Sequence, residues 1–149
     1  MRVYRSTLIQ ALKTKTLAAQ LDQLRRPVGG FKTWMSKPST RSPVAIAEDD
    51  DGNPIGWAIL HRQAKWGVLG EQADYVIGWY VHPQHRRKGI AKALAATVLA
   101  RGPAQINAEP CSRTVQHLFE NHGYRLVNPG RLSESGRYIE KHALYEKVA

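Results

Sequence analysis

Apolar residues recur at helical spacing in two places near the start of the chain. Leu8, Ala11 and Leu12 share one face, and so do Leu17, Ala18, Leu21 and Leu24. The polar residues 13–16 interrupt the pattern, so the spacing predicts one imperfect amphipathic helix or two short ones. Ser6 or Thr7 supplies the cap, and Pro27, Gly29 and Gly30 stop the helix. The stretch MRVYR ahead of it is predicted as a first strand. FKTWMSKP is predicted as a short further helix ending at Pro38.

From residue 43 the period shortens. PVAIAEDDDGNPIGWAILHRQ predicts a hairpin: residues 44–47 form one strand, residues 55–60 the return strand, and Asp51-Gly52 is the strongest turn pair between them. AKWGVLGEQA is a loop. DYVIGWYV is a nearly continuous apolar run, which suits a central strand buried on both faces. GIAKALAATVLARG predicts a helix whose buried side carries Leu94, Val98 and Leu99, ended by Gly102-Pro103. QINAEP is a short strand. CSRTVQHLFENHG is a second helix, with Val115, Leu118 and Phe119 on one face and Gly123 at its end. YRLVN and ALYEKV are two final strands, separated by a polar loop over residues 129–141. The order β-αα-β-β-β-α-β-α-β-β describes a mixed α/β domain, and one domain over residues 1–149 is expected.

Composition changes this picture little, but charge changes it more. The chain has 149 residues, 42% hydrophobic and 23% charged, with one cysteine, Cys111. No apolar run approaches the length of a membrane span or of a signal peptide. A soluble, cytoplasmic protein is therefore expected, without internal disulfide, CxxC metal pair, metal site or membrane contact. The formal net charge is +10. Residues 1–42 hold nine Lys or Arg against one acid, Asp22, a net of +8. That asymmetry points to an acidic partner or substrate at the N-terminal quarter. Phe31 and Trp34 lie among these charges and could stack on bases. A basic surface that only aids solubility is the plainer alternative.

The densest chemistry is VHPQHRRKGIAKAL, where His82, His85, Arg86, Arg87 and Lys88 precede Gly89 and a helix start. A helix N-terminus offers N–H groups without internal acceptors and a favourable dipole for an anion. Gly89 removes the Cβ that would hold a phosphate away. Neither GxxxxGK[ST] nor GxGxxG is present.

The stretch resembles the pyrophosphate loop of the GNAT superfamily of N-acyltransferases, whose signature is Gln or Arg, two residues, Gly, one residue, then Gly or Ala. Here it reads Arg86-Arg87-Lys88-Gly89-Ile90-Ala91, after the apolar-x-Pro step Val81-His82-Pro83. The family's later helix, A-x-x-L-[YF]-x-x-x-G-[FY], appears as residues 115–124. The resemblance covers about residues 43–127, while residues 1–42 match in order of elements only. It implies a GNAT-like fold, a central mixed sheet of about six or seven strands flanked by about four helices. It also implies a V-shaped opening between two adjacent strands that takes acetyl-CoA or another acyl-CoA. By that resemblance, backbone groups of Tyr80 and Val81 pair with the pantetheine arm, and the N–H groups of Arg86, Arg87, Lys88, Gly89, Ile90 and Ala91 hold the pyrophosphate. Ser112 stands where the family often has an Asn that contacts the cofactor arm.

Transfer from a thioester to an amine needs a base for the amine, a donor for the oxyanion of the tetrahedral intermediate, and a proton for the thiolate. The family's usual tyrosine acid falls on Phe119, which has no hydroxyl. Tyr124 and Tyr80 are then the candidates, unless the thiolate, with a pKa near ~8.5, leaves unaided. Asp74 and Tyr75 lie where the family's base commonly sits, and Glu109 ends the next strand, close to where substrates lie in the family. His82 and His85 flank the loop. Cys111 is read as an inert thiol.

The reading is an N-acetyltransferase acting by direct attack of a primary amine. An acidic or macromolecular acceptor is expected, such as tRNA, another nucleic acid or an acidic protein, because the +8 excess repels a polyamine. The alternatives are a non-catalytic basic module of the same fold and a small-molecule acetyltransferase. A homodimer is compatible with either.

Overall fold

The computed structural model describes residues 1–7, 10–11, 42–62, 73–110, 112–137 and 139–148. Of the helices predicted from residue 6 to 24 and over 31–38, only Ser6 and Thr7, which are in a strand, and Gln10 and Ala11, which are helical, lie among the described residues. Phe31, Trp34, most of the 64–73 loop, Cys111 and seven of the nine N-terminal basic residues also lie outside them. Contacts divide the chain into two compact units, Met1–His61 with Trp79–Ala100, and Arg62–Gly78 with Arg101–Ala149.

In the first unit, β1 (Arg2–Thr7) runs two residues beyond the predicted strand. The Gln10 N–H then donates to Thr7 Oγ1 at 3.3 Å, the bond of a helix cap, which distinguishes Thr7 from Ser6. Strand β2 (Pro43–Glu48) pairs antiparallel with β1 from Arg2↔Glu48 to Thr7↔Pro43. It also pairs antiparallel with β3 (Pro54–Arg62), with Val44 opposite Ile59. The connecting turn is built by Asp49, whose carboxylate accepts from the N–H groups of Asp51 at 3.0 Å and Asn53 at 2.8 Å. Gly52 takes the left-handed conformation there, with φ 81°. Helix α1 (Ile90–Leu99) buries Ile90, Leu94, Ala95, Val98 and Leu99 and packs on β1 and β2. It stops before the predicted Gly102, and Arg101 takes a left-handed conformation with φ 57°.

The second unit holds β5 (Gln105–Ala108), α2 (Arg113–Glu120), β6 (Tyr124–Asn128) and β9 (Ala143–Lys147). Strand β9 pairs antiparallel with both β5 and β6. The region read as a polar loop contains a small hairpin of β7 (Arg131–Leu132) and β8 (Ile139–Lys141). Its turn closes through Gly136, which has φ 72° and donates its N–H to the Ser133 carbonyl at 2.8 Å. Too few apolar residues flank this turn for it to stand out as a hairpin in the sequence.

Strand β4 (Tyr75–Val81) contributes to both units. Its parallel pairing with β5 registers Val76 with Asn107. The strand order is β1-β2-β3-β4-β5-β9-β6, a seven-stranded mixed sheet. Helices α1 and α2 and one short 3-10 turn accompany it among the described residues, besides the helical Gln10 and Ala11. The expectation for β4 needs correction. Only Ile77 and Val81 of that strand are buried, whereas β3 is buried without interruption from Pro54 to His61. An apolar run records what a strand can bury, and neighbouring elements decide what it does bury.

Candidate active site

The first unit carries the cofactor candidates from Tyr80 to Ala91. Their placement begins at Gly56 in β3. A Cβ on Gly56 would lie 2.9 Å from the Tyr80 carbonyl oxygen and 3.2 Å from Leu94 Cδ1, so glycine alone allows this approach of strand end and helix. The His82 N–H donates to the Ile55 carbonyl at 2.8 Å. Pro83–His85 then make the 3-10 turn, and His82 Nδ1 accepts from the Gln84 N–H at 3.3 Å. His85 meets the His82 ring edge-on at 5.9 Å.

Arg86 folds back on the strand. Its Nε donates to the Val81 carbonyl at 2.9 Å, and its guanidinium lies 5.5 Å from the centre of the Tyr80 ring. Arg87 has φ 63° and Gly89 has φ 76°. Two left-handed residues one apart turn successive N–H groups toward one side, the geometry of an anion-binding nest. A left-handed non-glycine such as Arg87 stores about 1–2 kcal/mol of strain, of the kind found where function fixes the backbone.

The consequence appears in the hydrogen bonds. Among the described residues, no N–H from residue 87 to 92 has an acceptor, and the first bond of α1 is from Ala93 to the Gly89 carbonyl at 3.1 Å. Six consecutive donors therefore stand open beside the exposed side chains of Arg87 and Lys88. Nothing lies within 4 Å of a Cβ placed on Gly89. Ile90 is buried, so it can offer a ligand only its N–H. An acyl-CoA pyrophosphate fits this donor set in charge and in number of donors.

The second unit carries Ser112 and the four catalytic candidates. Ser112 caps α2, with its hydroxyl accepting from the Val115 N–H at 3.3 Å. Asp74 is exposed just before β4, and Tyr75 is half-buried at its first position. This segment is held by Asn107, a fully buried residue that the sequence reading passed over. Asn107 Oδ1 accepts from the Ala73 N–H at 2.6 Å, and Nδ2 donates to the Ala143 carbonyl at 3.1 Å. An asparagine between the apolar residues Ile106 and Ala108 was the available signal.

Glu109 is exposed directly after β5. It acts on His142, which precedes β9: burial pushes the imidazole below its ordinary range, and the Glu109 carboxylate opposes that shift. Tyr124, at the start of β6, is 2% exposed, and its hydroxyl donates to the Pro103 carbonyl at 2.6 Å. Burial pushes its pKa up. Phe119 packs edge-on against Tyr124 with ring centres 5.8 Å apart and stacks on Tyr145 at 3.8 Å. It is a core residue with no exposure.

Comparison with known proteins agrees with this layout. A model of the Acetyltransferase (GNAT) family matches residues 7–124. Among the solved structures that share the fold are three acetyltransferases. A GNAT superfamily phosphinothricin acetyltransferase from Sinorhizobium meliloti, in complex with AcCoA, is 18% identical with a TM-score of 0.57, over 99% of this chain and 88% of that one. The ribosomal-protein-S18-alanine N-acetyltransferase from Escherichia coli is 17% identical with a TM-score of 0.58, over 99% and 96%. The ribosomal-protein-alanine N-acetyltransferase from Brucella melitensis is 17% identical with a TM-score of 0.57, over the whole of both chains. No curated protein matches.

Proposed function

The chain belongs to the Acetyltransferase (GNAT) family, and we propose on that basis that it transfers an acetyl group from acetyl-CoA to a primary amine by direct attack. Membership makes it an acyltransferase that uses an acyl-CoA. The observation that carries the cofactor assignment is the run of six open N–H groups over residues 87–92, set by left-handed Arg87 and Gly89. When bound, the acyl-CoA supplies the activated acyl group. The chain's residues do the rest: the 86–91 backbone binds the pyrophosphate, Arg86 steadies the Tyr80–Val81 strand end, and Ser112 lies at the arm position. In this reading residues 1–149 act as one catalytic domain.

Asp74 and Glu109 are the carboxylates available to the amine proton, and Tyr75 flanks the first of them. The Tyr124 proton is already held by the Pro103 carbonyl, so Tyr124 enters the proposal as a packing partner of Phe119, and solvent protonates the leaving thiolate. The acceptor we favour is acidic or macromolecular, a tRNA, another nucleic acid or an acidic protein. The +8 excess of residues 1–42 supports it. Proteins of the same fold whose names give a ribosomal-protein alanine as acceptor are compatible with it.

Titration calorimetry with acetyl-CoA tests the cofactor assignment, with Gly89→Glu as control. Binding to the native chain and none to the variant is expected. No heat with acetyl-CoA, together with salt-sensitive binding to tRNA, would instead indicate a non-catalytic module. Incubation with acetyl-CoA and cell extract, read by mass spectrometry, then identifies the acetylated class. A labelled small metabolite with no labelled RNA or protein would replace the favoured acceptor.

A further inference from the structure

His142 is a residue that neither the sequence reading nor the family match singles out. It lies between β8 and β9, with its ring half-buried. Its Nδ1 is buried and has no hydrogen-bond partner among the described residues. A buried polar atom left unpaired has given up its hydration for nothing in return, so its persistence asks for a reason.

Three features of the second unit set this ring in place. The β5–β9 ladder ends at Ala108↔Ala143, so the residues just past that pair are Glu109 on one strand and His142 on the other. Gly130, with φ 72°, lies against the backbone of residues 141–143. A Cβ there would lie 2.5 Å from the Lys141 carbonyl oxygen and 2.9 Å from the His142 carbonyl carbon. Finally, Glu109 and His142 stand at the carboxyl end of β5, which runs parallel to β4. The carboxyl ends of parallel strands are where α/β sheets place their ligands.

We propose that His142, set against Glu109 at the carboxyl end of β5, takes the proton from the acceptor amine. This rests on the acetyltransferase reading. A buried Nδ1 leaves Nε2 as the nitrogen that can meet an amine. The balance is simple: the ammonium proton passes to His142 and on to solvent, the amine nitrogen bonds to the acyl carbon, and that nitrogen gives its second proton to solvent as the carbon–sulfur bond breaks. The sulfur keeps the electron pair and takes a proton from solvent. Burial keeps the imidazole neutral at neutral pH, as a base must be, and Glu109 supports the charged form once the proton arrives. The other charged groups beside it in the chain are Glu140, engaged with Arg131 at 2.7 Å, and Lys141.

The test has two readouts. The first is the NMR titration of the His142 ring, assigned by its loss in His142→Gln. It should titrate below an ordinary histidine, and lower still in Glu109→Gln. Ordinary titration that ignores Glu109→Gln would overturn the pairing. The second is acetylation of a short acidic peptide with a free N-terminal amine, followed by thiol release across pH. His142→Gln should lower kcat/KM about 100-fold at neutral pH, with the loss shrinking as pH approaches the pKa of the amine, and should leave acetyl-CoA affinity by calorimetry unchanged. A pH-independent loss, or none, would reject the base role while the acetyltransferase reading stands. Failure of the native chain to bind acetyl-CoA would remove both.

Discussion

The α-carbon of Gly56 and the carbonyl of Tyr80 approach so closely that a methyl group on Gly56 would lie 2.9 Å from the Tyr80 oxygen. The neighbour is backbone, at the end of β4, and cannot rotate away. Leu94 of α1 closes the same space at 3.2 Å. Gly56→Ala should therefore destabilise the protein by about 1–3 kcal/mol. It should also weaken acetyl-CoA binding more than a distant substitution of equal stability cost, because the shift falls on Tyr80 and Val81. Thermal melting and calorimetry on the same samples check this; an unchanged melting temperature would show that the strand end yields freely.

Gly89 makes a different demand. Its φ of 76° strains any other residue, yet the space around it is open. A series then separates strain from charge. Gly89→Asn should be mildest, since Asn tolerates the left-handed region, and Gly89→Ala should cost about 1–2 kcal/mol. Gly89→Glu should add loss of acetyl-CoA binding by placing a carboxylate at the open N–H groups. Equal affinity for Gly89→Ala and Gly89→Glu would mean that no anion sits there.

Phe119 is the residue on which the sequence resemblance puts the family's tyrosine acid. Restoring the hydroxyl should not restore an acid, because the ring is fully buried between Tyr124 and Tyr145. Phe119→Tyr should destabilise by about 1–3 kcal/mol through an unpaired buried hydroxyl, with no gain in the rate of thiol release. A faster enzyme would place the thiolate within reach of this ring.

The pH dependence of stability has a defined sign at His142. Burial sets its folded pKa below the ~6.5 of an unfolded histidine. Between those values the unfolded chain holds more protons than the folded one, so stability is full above ~6.5 and is lost as pH falls through the folded value. Urea unfolding at pH 7.5 and pH 5 should show a smaller difference for His142→Gln than for the native chain. Identical differences would mean that His142 titrates alike in both states.

Local chemistry was legible because its causes lie within a few residues. Asp49, Asp51 and Gly52 build their turn from neighbouring amides, and Gly89 marks a helix start whether or not the rest of the fold is known. The loop from Arg86 to Ala91 could be read for the same reason. Burial was less legible. The apolar run of β4 suggested a strand covered on both faces, yet β3 holds that place, since burial depends on which elements come to lie against a strand.

Pairing between distant segments was not legible at all. Strand β9, the last in sequence, pairs with both β5 and β6. That choice brings His142 opposite Glu109 and gives Asn107 its bond to the Ala143 carbonyl. The sequence by itself determined most of the described strands, helices α1 and α2, the turn chemistry and the helix start after Gly89, because backbone preference and hydrophobic period act at short range. Only the tertiary structure decided the strand order, the need for glycine at 56 and the neighbours of His142, because each depends on residues far apart in the chain meeting at a few ångströms.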